Sequence, residues 1–313
     1  MSERTPVRRL RRSELAVPAS SEKMIAKAAE SDADLVFLDL EDAVAPAEKD
    51  AARAKAVQGL TGLDWGRTVR ACRINGVQTP WCLDDVVEVV GGAGEALDVL
   101  IVPKVRTPRD VWFVDDLLTQ LETKLGLPER KIGLELLIEE VEAVARVDDI
   151  AASSPRVEAL ILGVGDLSAG QGMRGDHVGA GGDPDVPAYP GDIWHYARSR
   201  MIIAARTNGI DAIDGPFAGI ADPAGYRAVA WQAAALGAAG KWCIHPAQIA
   251  LANEVFAPAR AEIDKAIAVL AALREAEEKG LGAATYRGGL IDAASRRGYE
   301  AVIERARMCG MHH

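Results

Sequence analysis

Leu35-Val36-Phe37-Leu38-Asp39-Leu40-Glu41-Asp42 decides how this chain folds. A short run that is apolar on both faces reads as a strand of a parallel sheet covered by helices, and this one empties into acidic residues. The same design recurs along the chain. Short aliphatic or β-branched runs stand at Glu14–Pro18, Leu35–Leu40, Thr68–Ile74, Val99–Val105, Ile132–Ile138, Ala159–Val164, Ile210–Ile213 and Lys241–Ile244. Between them lie helical stretches such as Glu22–Glu30, Ala47–Val57, Pro108–Lys124, Glu140–Ala152, Ile193–Thr207 and Pro223–Ala235, with Asn208-Gly209 and Gly237 as helix stops. Eight βα units predict an α/β fold of the closed (β/α)8 barrel type rather than an open sheet.

After the eighth run the pattern turns purely helical. Ile263, Ala266, Ile267, Leu270 and Leu273 keep an i, i+3, i+4 spacing, so Ala259–Lys279 is read as amphipathic. A Gly-rich break, Gly280–Gly289, is expected to be a flexible link before a last helix from about Asp292 to Met308. A tail beyond a complete barrel must bury its apolar face somewhere, and a neighbouring subunit is a natural place. The organisation read from this is a basic arm over 1–11, a barrel over 12–256 and a C-terminal helical extension over 257–313, in a homo-oligomer. Arg4, Arg8, Arg9, Arg11 and Arg12 crowd the arm, which is expected to be solvated, with contact to an anionic ligand as the alternative.

With 36 basic and 46 acidic residues the net charge is −10, a background field that opposes nucleic-acid binding. Cys72, Cys82, Cys243 and Cys309 show no C-x-x-C spacing, which fits a reducing, cytoplasmic setting. No apolar run approaches a membrane span of about 20 residues, and neither a membrane nor a nucleic-acid partner is expected.

In such a barrel the active site collects at the C-terminal ends of the strands. The residues there are Asp39, Glu41 and Asp42 after the second strand, Arg73 and Asn75 after the third, and Lys104 after the fourth. Glu139, Asp166, Asp214 and His245 follow the fifth to eighth. Glu139 and Asp166 form a hard-oxygen pair that leaves positions for water and substrate, as Mg2+ prefers, although each carboxylate also suits a helix N-terminus. A single histidine without paired cysteines argues against zinc. Arg73 can hold a carboxylate, phosphate or developing oxyanion, or pair with Glu41 or Asp42. Lys104 as a Schiff-base lysine would make a metal-free aldolase and leave the carboxylate pair unexplained. Asp214 before Gly215-Pro216 reads as a turn residue, and His245 before Pro246 as a helix-entry residue. The aperiodic segment Arg174–Gly191, on the same side of the barrel, is expected to be functional. Phosphate-loop, nucleophile-elbow, zinc-protease and dinucleotide fingerprints are all lacking. The residues alone thus reach a Mg2+-dependent enzyme acting on an anionic, oxygen-rich small molecule, with the reaction undetermined.

Several segments together resemble a known family. They are Arg12-Ser13-Glu14-Leu15-Ala16-Val17-Pro18, the run from Leu38 to Pro46, Leu63-Asp64-Trp65-Gly66, Arg73-Ile74-Asn75-Gly76, Ile101-Val102-Pro103-Lys104-Val105, the run from Ala151 to Arg156, Asp214-Gly215-Pro216-Phe217, Gly240-Lys241-Trp242-Cys243-Ile244-His245-Pro246 and Ala252-Asn253-Glu254-Val255-Phe256. This set resembles the CoA-ester lyases of the HpcH/HpaI aldolase and citrate lyase β-subunit family, and is more similar to its malyl-CoA lyase branch. The resemblance implies a reversible Claisen-type cleavage of a 3-hydroxyacyl-CoA, such as malyl-CoA or β-methylmalyl-CoA, to acetyl-CoA or propionyl-CoA and glyoxylate. It implies Mg2+, with Mn2+ as a substitute, on Glu139 and Asp166, and a CoA thioester as substrate. Arg73 would steady the enolate oxygen, Glu41 and Asp42 would belong to the catalytic cluster, and Asp292 would arrive from a neighbouring subunit of a trimer or hexamer as acid/base. Lys27 would meet the CoA phosphates, while Ala16, Val17, Gly165, Ile244 and His245 would touch substrate, largely through backbone.

Asp292, with Ser295 three residues on, also stands where an N-cap would open the last helix. Ser21 replaces a CoA-binding arginine of the family, so the Arg-rich N-terminus is an expected compensation. Leu167–Met173 departs from the malyl-CoA lyase pattern and leaves the 2-oxo acid open. A citramalyl-CoA lyase and a malyl-CoA thioesterase share the same site chemistry; a CoA-independent aldolase and a non-catalytic subunit are more distant readings.

Overall fold

The computed structural model describes residues 8–174, 178 and 189–311. Arg4 and most of the segment Arg174–Gly191 lie outside the described residues. Two compact units divide between Asn253 and Glu254.

Unit one is a closed barrel of parallel strands in chain order: β1 (Ser13–Pro18), β2 (Leu35–Asp39), β3 (Val69–Arg73), β4 (Val99–Val102), β5 (Gly133–Ile138), β6 (Val157–Leu162), β7 (Asp211–Asp214) and β8 (Gly240–Cys243). All eight expected strands are present, and β8 closes on β1 through Ser13↔Lys241 to Leu15↔Cys243. Around them run α1 (Glu22–Ala29), α2 (Lys49–Gly62), α3 (Cys82–Ala93), α4 (Pro108–Leu125), α5 (Val141–Ala145), α6 (Val147–Ala151), α7 (Val164–Gln171), α8 (His195–Thr207), α9 (Pro223–Leu236) and α10 (Ile249–Val255). The single helix expected over Glu140–Ala152 is two, because Arg146 leaves helical geometry at φ −116°, ψ 19°. Both faces of the sheet are covered, so β2, β4 and β5 are buried at every position. Leu35, Phe37, Ala71, Val99, Ile101, Leu137, Ile161, Ile213 and Trp242 share one core cluster. Among the described residues no helix is long and apolar enough to cross a membrane.

Part of the basic arm is not solvated. Arg11 is wholly buried at the N-terminal end of the barrel, where its Nε donates to Glu135 Oε1 at 2.6 Å and its Nη2 to Glu158. Arg9 donates to Glu158 Oε2 at 2.9 Å, and Arg12 to Asp34 at 2.8 Å. The backbone here is equally confined: a Cβ on Gly240 would lie 1.6 Å from the Arg11 carbonyl oxygen. These arginines therefore hold the base of the barrel, at the end opposite the strand C-termini, and cannot compensate there for a missing CoA-binding side chain.

Unit two holds α11 (Arg260–Glu278), strands β9 (Ala283–Tyr286) and β10 (Gly289–Asp292), and α12 (Ala293–Met308). The segment expected to be a flexible link is an antiparallel hairpin pairing Gly289 with Tyr286. Arg287 and Gly288, at φ 46° and 81°, make the two-residue turn with both centres left-handed that hairpins favour. Val269, Leu273 and Ile291 form its small core, with Ala284, Tyr286 and Tyr299 packed against it.

Candidate active site

The strands end in polar residues, and the barrel gathers these into one connected network. Arg73, the last residue of β3, lies 9% exposed beside the last residue of β2. Its Nε and Nη2 donate to the two carboxylate oxygens of Asp39 at 2.7 and 2.6 Å, the bidentate fit of a planar guanidinium. Nη1 lies 2.9 Å from Glu41 Oε2 in an ion pair. The Trp242 and Phe37 rings, their centroids 4.6 Å apart and their planes tilted by 38°, stand 5.4 and 5.9 Å from the guanidinium carbon. The Trp242 indole is fixed in turn by donating to Glu14 Oε2 at 2.9 Å. Asp39 takes two of the five N–H groups, so Arg73 is oriented while keeping donors for a further oxygen.

Glu41 turns back over this pair. Its backbone N–H donates to Asp39 Oδ1 at 2.9 Å, and Lys49 donates to the Leu40 and Glu41 carbonyls. Burial raises the Glu41 carboxyl above its ordinary value, opposed by Arg73 and Lys104. Asp42 is exposed and pairs with Lys104 at 3.4 Å rather than with Arg73. Beneath them Asn75 donates to the Leu40 carbonyl at 3.0 Å and to buried Asp85, which also takes Arg53 at 2.9 Å.

Glu139 follows β5 and is 4% exposed, with its Oε1 accepting the Lys104 backbone N–H at 2.8 Å. Burial first, then the negative charges of Glu41 and Asp166, push its carboxyl well above the ordinary range. Asp166, exposed in the first turn of α7, therefore stands near enough for its charge to act on Glu139. A buried carboxylate crowded by other carboxylates is short of positive charge. Among the described residues no three His, Cys, Asp or Glu side chains make a protein-only metal cage. One buried and one exposed carboxylate, Glu139 and Asp166, suit Mg2+, which keeps much of its hydration and takes only one or two carboxylates.

Lys104 does not suit Schiff-base chemistry. Burial works to lower its ammonium's pKa, but the contact with Glu41 at 2.9 Å prevails and raises it, the opposite of what a nucleophilic lysine needs.

The remaining expected positions divide. Ala16 and Val17 lie near the end of β1, Gly165 in the first turn of α7, and Ile244 and His245 just after β8, all on the strand C-terminal side. His245 caps the turn at Pro246–Gln248 by accepting the Ala247 N–H at 3.2 Å. Lys27 is exposed in the last turn of α1, and no described hydrogen bond or ion pair joins it to the network. Ser21 caps α1 through the Met24 N–H. Asp214 is a buried ion-pair centre: Lys241 and Arg198 reach it at 2.6 and 3.0 Å and, against burial, hold its carboxyl below the ordinary value. Asp292 caps α12 by accepting the Ala294 and Ser295 N–H groups at 3.0 and 3.1 Å. Sequence alone does not pair Asp39 or Trp242 with Arg73. Asp39 was nonetheless visible as the last inward carboxylate of its strand.

Comparison with known proteins agrees with this architecture. Residues 12–246 match the family model described as HpcH/HpaI aldolase/citrate lyase. An L-malyl-CoA/beta-methylmalyl-CoA lyase of Cereibacter sphaeroides is 41% identical over 308 residues, covering 97% of this chain and 96% of that protein. A malyl-CoA/beta-methylmalyl-CoA/citramalyl-CoA lyase of Chloroflexus aurantiacus is 34% identical, covering 88% and 81%. The crystal structure of CitE from Mycobacterium tuberculosis in complex with magnesium, acetoacetate and coenzyme A superposes with a TM-score of 0.74 at 30% identity, covering 94% of this chain and 97% of that one.

Proposed function

This chain belongs to the HpcH/HpaI aldolase/citrate lyase family, and from that premise we propose that it is a Mg2+-dependent lyase that reversibly cleaves malyl-CoA or β-methylmalyl-CoA to glyoxylate and acetyl-CoA or propionyl-CoA. The observation that carries the reading is the junction of an oriented Arg73 with the buried carboxylate Glu139 through Glu41 and Lys104. Glu139 and Asp166 would hold the metal, with Mn2+ able to replace it. When bound, the metal supplies Lewis-acid polarisation of the 2-oxo acid.

The protein's own groups do the rest. Arg73, anchored by Asp39 and Glu41, places N–H donors where a thioester oxygen gains enolate charge, an arrangement worth roughly 3–4 kcal/mol for a single donor. Glu41 and Asp42 keep Lys104 and Arg73 in register. Backbone at Ala16, Val17, Gly165, Ile244 and His245 lines the same face and is assigned to substrate, and Lys27 to the CoA phosphates. Asp292 is assigned the acid/base role, supplied by a neighbouring subunit of a trimer or hexamer. Its carboxylate stands at the start of α12, where it accepts the Ala294 and Ser295 N–H groups. The division into arm, barrel and extension near 12 and 256, and a cytoplasmic setting, belong to the same proposal.

The test offers malyl-CoA, β-methylmalyl-CoA and citramalyl-CoA in turn, trapping the released 2-oxo acid while following free thiol. Glyoxylate with an equal amount of acyl-CoA is expected from the first two. Thiol release in place of acyl-CoA would make the protein a thioesterase, and pyruvate from citramalyl-CoA alone would reassign the acceptor.

A further inference from the structure

The lyase reading gives Lys104 no step of the chemistry, yet it touches both halves of the site. It stands two residues past the end of β4, with φ +52°. A left-handed backbone is disfavoured for any residue with a Cβ other than Asn or Asp. The other described non-glycine residues with positive φ are Arg130, in the turn before β5, and Arg287, in the hairpin turn. Only at Lys104 does the unusual conformation serve the network: its N–H reaches Glu139 Oε1 at 2.8 Å. Its Nζ lies 2.9 Å from Glu41 Oε1 and 3.4 Å from Asp42 Oδ1, while the other oxygen of Glu41 lies 2.9 Å from Arg73 Nη1.

We propose that Lys104 is a positioning residue, whose left-handed backbone aims one N–H at Glu139 while its ammonium holds Glu41 against Arg73. The backbone fixes the carboxylate assigned to the metal, and the side chain fixes the arginine. This inference rests on the lyase reading for what the two groups accomplish, but its metal half can be read without turnover.

Lys104→Asn keeps a residue that tolerates the left-handed region and removes the ammonium. Lys104→Val puts a β-branched side chain where it does not fit. Mn2+ binding is followed by the electron paramagnetic resonance of the free ion, with Asp166→Asn locating the site, circular dichroism checking the fold, and turnover measured in parallel. The Asn variant should hold Mn2+ within about 3-fold of wild type and lose about 10-fold or more in kcat with KM for the acyl-CoA unchanged, because only the support of Arg73 is gone. The Val variant should lose about 10-fold or more in Mn2+ affinity, the cost of freeing a group that orients a metal ligand. Should the Val protein not fold, Lys104→Gly and Lys104→Ala give the same comparison, with Gly expected to bind Mn2+ more tightly than Ala. Equal Mn2+ affinities across these pairs overturn the backbone role, and an unchanged kcat in the Asn variant overturns the ammonium role. A protein whose Mn2+ affinities follow the expected order but which turns over no CoA ester refutes the lyase reading and leaves the backbone assignment standing.

Discussion

Gly163 closes the space behind Glu139, and filling that space is a direct way to move the carboxylate. A Cβ built on Gly163 would stand 2.4 Å from Glu139 Cβ and 2.7 Å from its Oε2. Carbon atoms rest at about 3.5–4.0 Å, so Gly163→Ala overlaps the glutamate by about 1 Å. Backbone strain is no obstacle, since Gly163 has φ −94° and alanine adopts that freely. The overlap must therefore be relieved by displacing Glu139, at an overpacking cost of roughly 1–3 kcal/mol. Metal–ligand distances tolerate only about 0.2 Å. A displacement several times larger should weaken Mn2+ binding by about 10-fold or more, the scale seen when the support of a ligand is disturbed. Gly165→Ala is the matched control for Mn2+ binding, because among the described residues its Cβ would meet only Val178 at 3.8 Å, ordinary contact. Titration of both variants with Mn2+ decides the matter. Wild-type affinity in Gly163→Ala, with a normal melting transition, would refute the placement of Glu139 as a metal-holding carboxylate.

Three further outcomes are expected. Arg73→Lys keeps a charge but loses the bidentate grip on Asp39, and should reduce kcat/KM by about 100-fold or more while leaving Mn2+ affinity within about 3-fold. Arg11→Met strands buried Glu135 and leaves Glu158 with Arg9 alone at the base of the barrel, and should destabilise the protein by roughly 3–5 kcal/mol in urea unfolding. Asp214, held below its ordinary value by Lys241 and Arg198 against burial, contributes stability that is present above the unfolded carboxylate pKa of about 3.9 and lost as pH falls through the lower folded value. Melting temperatures measured from pH 7 to pH 3 should accordingly fall only at the acid end, and Asp214→Asn should flatten that fall.

The barrel was legible because each strand is an apolar run that stops in polar residues, a signal local to a few positions. Strand ends were harder. The run Val99–Val105 continues three residues beyond β4, since periodicity cannot see that Lys104 turns left-handed. Glu139, Asp166 and Arg73 could be grouped from sequence because the fold sends every strand end to one face. Their connections could not: Arg73 chose Asp39 on the adjacent strand, a question of register. Arg11 was hidden for a different reason. A charged residue among charged neighbours reads as solvated, and its partners Glu135 and Glu158 are 124 and 147 residues away. The hairpin at Ala283–Asp292 was masked by glycines that serve both flexible links and left-handed turns, and its Arg287-Gly288 centre lacks the usual Asn or Asp.

The central claim is that Arg73 and the Glu139–Asp166 pair act together on a CoA thioester and a 2-oxo acid. Its most direct test incubates the purified protein with acetyl-CoA, glyoxylate and Mg2+ and identifies the product by mass. The expected result is malyl-CoA whose formation stops with EDTA, returns with added Mg2+ or Mn2+, and is absent in Asp166→Asn. Formation of the adduct at full rate in EDTA, or by Asp166→Asn, would contradict the account.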